Sequence, residues 1–261
     1  LSLQDQNSLL STVDLQMRRR DATTDTRIVF RDQDLHSFLS GQRSYNRLNA
    51  AFFEQTDRSL GYFVRAGRQV GTGGGVFGRF DGLLAGYNLN PSWRVNGVFG
   101  TVVEFNSPFN RSFYGASADF TPQQGRPGFS AYYIEQTLDG LSDRKAVGGE
   151  VRYFDTHSTV FGMFDYDLNF KQINIAMMQG NWRSDGGTNY FANFDFRRSP
   201  PLSLSTALPG QVTADGFPNF DPRSVAANLG VDEMRNQASI LTASSYMYSA
   251  GFTHPVTARW Q

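Results

Sequence analysis

The chain has 261 residues, Lys plus Arg balanced against Asp plus Glu at 24 each, and a mean hydropathy of −0.41. Zero net charge argues against a nucleic-acid partner, which needs a basic excess, and the absence of Cys excludes disulfides, thiolate nucleophiles and Cys-ligated metals. Aromatic residues still reach 14%, with 23 Phe and 11 Tyr beside 26 Gly, which suits strands carrying aromatics on one face and polar groups on the other.

The dominant pattern is alternation of period two over about ten residues, interrupted by turn residues. It predicts strands near 9–18, 26–34, 46–55, 60–69, 76–89, 92–105, 111–121, 127–137, 145–154, 158–168, 170–182, 188–198 and 238–252, with another opening near 257. No apolar run approaches the roughly 18 residues of a membrane helix, the longest being Ile175 to Met178, and no basic stretch followed by an apolar one opens the chain. The alternation assigns Leu60, Tyr62, Val64, Val151, Tyr153, Phe164, Tyr166, Phe194 and Phe196 to a lipid face. It assigns Arg65, Arg79, Asp81, Glu150, Arg152, Asp165, Asp167, Asp195 and Arg197 to a lumen.

Short connections at 56–59, 90–92, 155–157 and 183–187 fall on every second turn, the last holding Asp185-Gly186, a hairpin signal. Longer ones lie between, notably 31–45 and 199–237, an alternation that periplasmic turns and extracellular loops would produce. Counting back from the short turns starts the first strand on the outer side, so further strands are expected, above all after the C-terminus. Within 199–237, prolines at 200, 201, 209, 218 and 222 break any ladder and 224–238 suits a short helix. This segment is read as a mobile surface loop in preference to one folded over a pore mouth.

Chemical motifs are sparse. Gly73-Gly74-Gly75-Val76-Phe77-Gly78 satisfies G-x-G-x-x-G, but a strand pattern follows where a dinucleotide fold needs a helix, so a Gly-rich connection is the better reading. His36, His157 and His254 are scattered without metal-ligand spacing, and no G-x-S-x-G occurs. Asp32 with Asp34, and Asp165 with Asp167, have carboxylates at i, i+2; calcium is conceivable for the first pair, and solvated or lumen-facing charge is the default for both. Arg65, Arg79 and Asp81 stand on two adjacent strands and are expected to meet in one lumen region, as a structural ion pair before a field across a pore.

The run from Val64 to Tyr87, with Gly67-Arg68-Gln69 before the Gly-rich turn and Gly78-Arg79-Phe80-Asp81-Gly82 after it, resembles strands of large Gram-negative outer-membrane barrels, of the porin and exopolysaccharide-exporter type. The stretch from Asp143 to Asp167 is similar to the body of barrels that in some bacterial proteins follow a periplasmic tetratricopeptide region, though no such repeat is present in this sequence.

These readings converge on one all-β unit spanning 1–261, with a long loop at 199–237. The expected fold is an antiparallel transmembrane β-barrel of about fourteen visible strands, part of a larger barrel, in the cell outer membrane. The expected function is a channel passing solute or polymer, porin-like or serving exopolysaccharide or secretion export. Balanced charge favours neutral or zwitterionic cargo; an anionic polysaccharide becomes the better candidate if Arg65, Arg68, Arg79, Arg152 and Arg197 gather on one wall. Alternatives are a plugged structural or adhesive barrel that binds a partner, and a soluble all-β carbohydrate-binding module. No enzymatic activity, cofactor or metal is expected. The expected partners are outer-membrane lipid and lipopolysaccharide, with periplasmic or outer-membrane subunits allowed for and nucleic acid excluded.

Overall fold

The computed structural model describes residues 7–71, 73–76, 78–105, 107–122 and 125–256. Its strands are β1 (Ser8–Arg20), β2 (Thr24–Ser37), β3 (Tyr45–Asp57), β4 (Tyr62–Val70), β5 (Arg79–Asn88), β6 (Trp93–Val102), β7 (Arg111–Phe120), β8 (Gly128–Leu138), β9 (Leu141–Phe154), β10 (Ser158–Asp167), β11 (Gln172–Arg183), β12 (Asn189–Ser199) and β13 (Ala243–Thr253). All thirteen form one antiparallel sheet in chain order, with β1 and β13 as its edges among the described residues. The expected strand near 257 lies outside the described residues.

The turns at one end are written locally in the sequence. Asp21, Asp57, Asn90 and Asp155 each turn a side-chain oxygen back onto backbone N–H groups two and three residues ahead, at 2.6–3.0 Å. An Asx side chain thereby mimics a backbone turn and lets the chain reverse in three or four residues. The Thr24 hydroxyl and the Thr23 and Thr24 amides hold the Asp21 carboxyl down at about 2. At the other end the connections diverge, from the two residues between β8 and β9 to the long segment 200–242 between β12 and β13.

The long segment overturns the expectation of a mobile surface loop. It contains a 3-10 turn at Leu204–Ala207 and two helices, α1 (Pro222–Leu229) and α2 (Val231–Leu241). The helical stretch is therefore longer than the expected 224–238, and β13 starts at Ala243, five residues after the expected 238. Pro222 opens α1 behind an Asp221 side chain that accepts from the Arg223 amide, a favourable cap. Leu202, Leu204, Leu208, Val225, Met234 and Ala238 bury themselves against Leu138 and Phe170, which sit beside the β8–β9 and β10–β11 turns. Prolines excluded a strand here without excluding a packed core, because helices satisfy their own backbone groups.

Alternation sorts the sheet into two unlike faces. One carries the buried Phe80, Phe113, Tyr132, Ile134 and Ala146, and the 71–78 connection folds onto it so that Val76 packs on that cluster; we call this the covered face. The other, open face exposes Leu15, Met17, Phe53, Tyr87, Phe99, Phe129, Val151, Phe164, Met178 and Tyr248. Near the short turns it carries aromatic groups: Trp93 with Phe120 and Phe129 at centroid distances of 5.0–5.6 Å, and Trp182 with Tyr190 at 5.2 Å. Charges on the open face gather towards the long-connection end, as the Arg68–Asp81 and Glu135–Lys145 pairs.

Candidate functional site

The covered face concentrates the charge. The cross-strand register places Arg27, Glu54 and Arg65 side by side on β2, β3 and β4, and Arg144, Glu150, Arg152, Asp165 and Asp167 on β9 and β10. Asp195 and Arg197 share this face on β12 and pair with each other. Seven of the nine residues expected together therefore share one face: Arg65, Glu150, Arg152, Asp165, Asp167, Asp195 and Arg197.

Asp81 is the correction. It stands directly opposite Arg68 and is bound by that guanidinium at 2.6 and 2.7 Å on the open face, while Arg65 pairs with Glu54 on the covered face. Arg79 shares the parity of Asp81, and its guanidinium lies over Phe105 at 5.1 Å at the rim. Gly67 and Gly82 are register partners, so a one-residue step along β4, from Arg68 to Gly67, moves between faces. The five arginines at 65, 68, 79, 152 and 197 are accordingly spread over both faces. Among the residues expected to face lipid, Leu60 belongs to the β3–β4 turn and the rest lie on the open face, where Phe196 is buried beside Tyr246.

Asp165 and Asp167 keep the expected face but are fully buried instead of solvated. Asp165 accepts from Arg144 Nη2 and Tyr132 Oη at 2.5 Å each and from Asn174 Nδ2 at 2.9 Å. The same partners reach the two inward connections: Arg144 Nη1 donates to the Gly75 carbonyl at 2.9 Å, and Asn174 Oδ1 accepts from the Leu202 amide at 3.2 Å. Gly75 has φ +75° and lies so close over the Tyr132 ring that a Cβ would overlap it; only glycine allows both. Asp167 caps the β10–β11 turn through the Asn169 and Phe170 amides. A further buried carboxylate, Asp143, straps the long segment by accepting from Leu204 N at 2.7 Å and Ser203 Oγ at 3.1 Å.

A second arrangement escaped the sequence reading. Guanidinium and phenyl groups alternate across the covered face: Arg27 and Arg65 lie over Phe52 at 5.4 and 5.0 Å, and Arg65 and Arg94 over Phe63 at 5.4 and 5.0 Å. Such stacking occupies the planar faces of the cations and leaves their N–H edges available. Arg94 and Phe63 both had a signal in the sequence, since Arg94 alternates with Trp93 and Val95 and Phe63 falls with Arg65 opposite Tyr62 and Val64; their meeting across β5 had none. Beneath the Gly-rich connection the ladder opens into a cavity of about 330 Å³, lined by Phe63, Arg65, Arg94, Asp119 and the apolar Val76, Phe80 and Leu84. Among the described residues no group of His, Cys, Asp and Glu is placed to hold a metal ion.

The geometry defines an all-β antiparallel sheet with an apolar open face and a charged, loop-covered one. No family model and no curated protein matches the chain. Among solved structures it is similar to a mutant porin of Rh. blastica, at 14% identity and a TM-score of 0.46, over 72% of this chain and 74% of that one.

Proposed function

We propose that this chain forms much of an outer-membrane β-barrel acting as a porin-like channel for small solutes. The distribution of residues over thirteen consecutive strands carries the reading: apolar and aromatic groups stand exposed on one face, while most arginines and carboxylates are turned to the covered face and the charged pairs left on the open face sit at one end. A soluble module would not leave so large an apolar surface in water, whereas a barrel in lipid requires it. Lipid also demands that the backbone groups at the β1 and β13 edges be paired, so the sheet closes on itself or through further strands. The surrounding partners are then outer-membrane lipid and lipopolysaccharide. The small cavity and the two connections packed on the covered face favour a small solute over a polymer.

Purified protein reconstituted in liposomes should make them swell in isotonic solutions of small sugars, more slowly as solute mass rises. Protein that stays in aqueous solution without detergent would overturn the reading. The long segment packed through Asp143 and Asn174 favours a second reading, a plugged barrel. Inserted protein that gives no swelling until 200–242 is removed would establish that one instead.

A further inference from the structure

Arg94 and Asp119 are direct register partners on β6 and β7, the position at which opposite charges normally neutralise each other. Here they form no ion pair. Arg94 is drawn the other way, over Phe63 on β4, by the space at Gly86: a Cβ there would stand 2.9 Å from the Arg94 Nε. Asp119 is held instead by Asn96, whose Nδ2 donates to its Oδ2 at 2.6 Å and to Ser117 Oγ at 3.1 Å. Both charges line the cavity under the Gly-rich connection, the Arg94 Nε is buried without a hydrogen-bond partner, and the apolar lining is Phe80 and Leu84 on the sheet with Val76 of the connection above them. The other cation on the cavity, Arg65, is already neutralised by Glu54.

From this separated pair beside an apolar lining we infer that the cavity is a binding site for a zwitterionic α-amino acid with an apolar side chain. The guest carboxylate pairs with the N–H edge of Arg94, the ammonium with Asp119, and the side chain lies against Val76, Phe80 and Leu84. Each charge of the site gains a partner only when both charges of the guest are present. A simple carboxylate meets repulsion from Asp119, and a simple amine meets repulsion from Arg94. As a binding site this stands by itself; as a selectivity station for passage it rests on the channel reading.

Titration calorimetry on the detergent-solubilised protein tests it, with leucine, isocaproate (no ammonium) and isoamylamine (no carboxylate). Leucine should bind at least about tenfold more tightly than either analogue, and Arg94→Gln and Asp119→Asn should each weaken leucine by about tenfold or more, as loss of a charge-assisted contact implies. Asp119→Asn should leave isocaproate no weaker. The ligand series on the unaltered protein settles the matter even if a variant misfolds, which strand-type circular dichroism would reveal. Absence of leucine binding, or equal binding of isocaproate, overturns the site. Liposome swelling on the same preparation separates the two readings: swelling without leucine binding sinks this site alone, and leucine binding without swelling sinks the channel alone.

Discussion

Replacing Phe194 by Arg is expected to cost about 2–4 kcal/mol of folding free energy in phospholipid, the depth-dependent cost of a cation on the lipid face of a barrel near the midplane. The depth follows from the strand. Phe194 is central in β12, five residues from Asn189 and five from Ser199, so at about 3.3 Å per residue it lies about 17 Å along the strand from either end. A tilt of about 40° reduces this to about 13 Å along the membrane normal, half of an apolar band of about 25 Å. Phe194 is half-buried between its exposed register partners Met178 and Tyr248, and the Tyr248 ring is 5.3 Å away, so no nearby carboxylate relieves the charge. Asn193 points to the opposite face, where its Nδ2 donates to Ser249 at 2.9 Å. Asn193→Arg should therefore cost no more than about 1 kcal/mol, the net worth of one exposed hydrogen bond. Urea unfolding from phospholipid vesicles, followed by heat-modifiable gel migration, measures both variants. Equal costs, or a larger cost for Asn193→Arg, would refute the assignment of the open face to lipid.

Asp143→Ala removes the acceptor for Leu204 N, Ser203 Oγ and Gln136 Nε2; with donors left buried, the strap should weaken by about 2–4 kcal/mol, and limited proteolysis should cut within 200–242 well before the strands are lost. If protection of that segment is unchanged, Asp143 does not hold it. The Asp21 carboxyl ordinarily titrates near 3.8 and is held at about 2 in the turn, so its contribution is complete above the ordinary value and is lost only as pH falls through about 2. Amide shifts of Thr23 and Thr24 should accordingly stay constant down to pH of about 3, and a midpoint near the ordinary carboxylate value would contradict the capping geometry.

The thirteen described strands, the hairpin positions and the shared face of most charges are legible in the sequence because each depends on residues close along the chain. Alternation fixes a face within one strand, and Asp21, Asp57, Asn90 and Asp155 each write their own turn. The face of Asp81 is not legible across the Gly-rich connection, where only the ladder register decides which residue of β5 meets Arg68. The packing of the long segment is hidden from the sequence for a related reason. Proline and loop length report what a segment is not, while Leu138 and Asp143, the partners of Leu204 and Met234, come from a turn some sixty to a hundred residues earlier. The separated pair Arg94 and Asp119 shows the limit most clearly: both residues are visible in the sequence, but the glycine seat, the Phe63 ring and the Asn96 amide that hold them apart come from three different strands. Local backbone chemistry made the sheet readable, and only the tertiary structure decided which of its charges are satisfied, because ion pairing depends on distances that the register and the inward connections set.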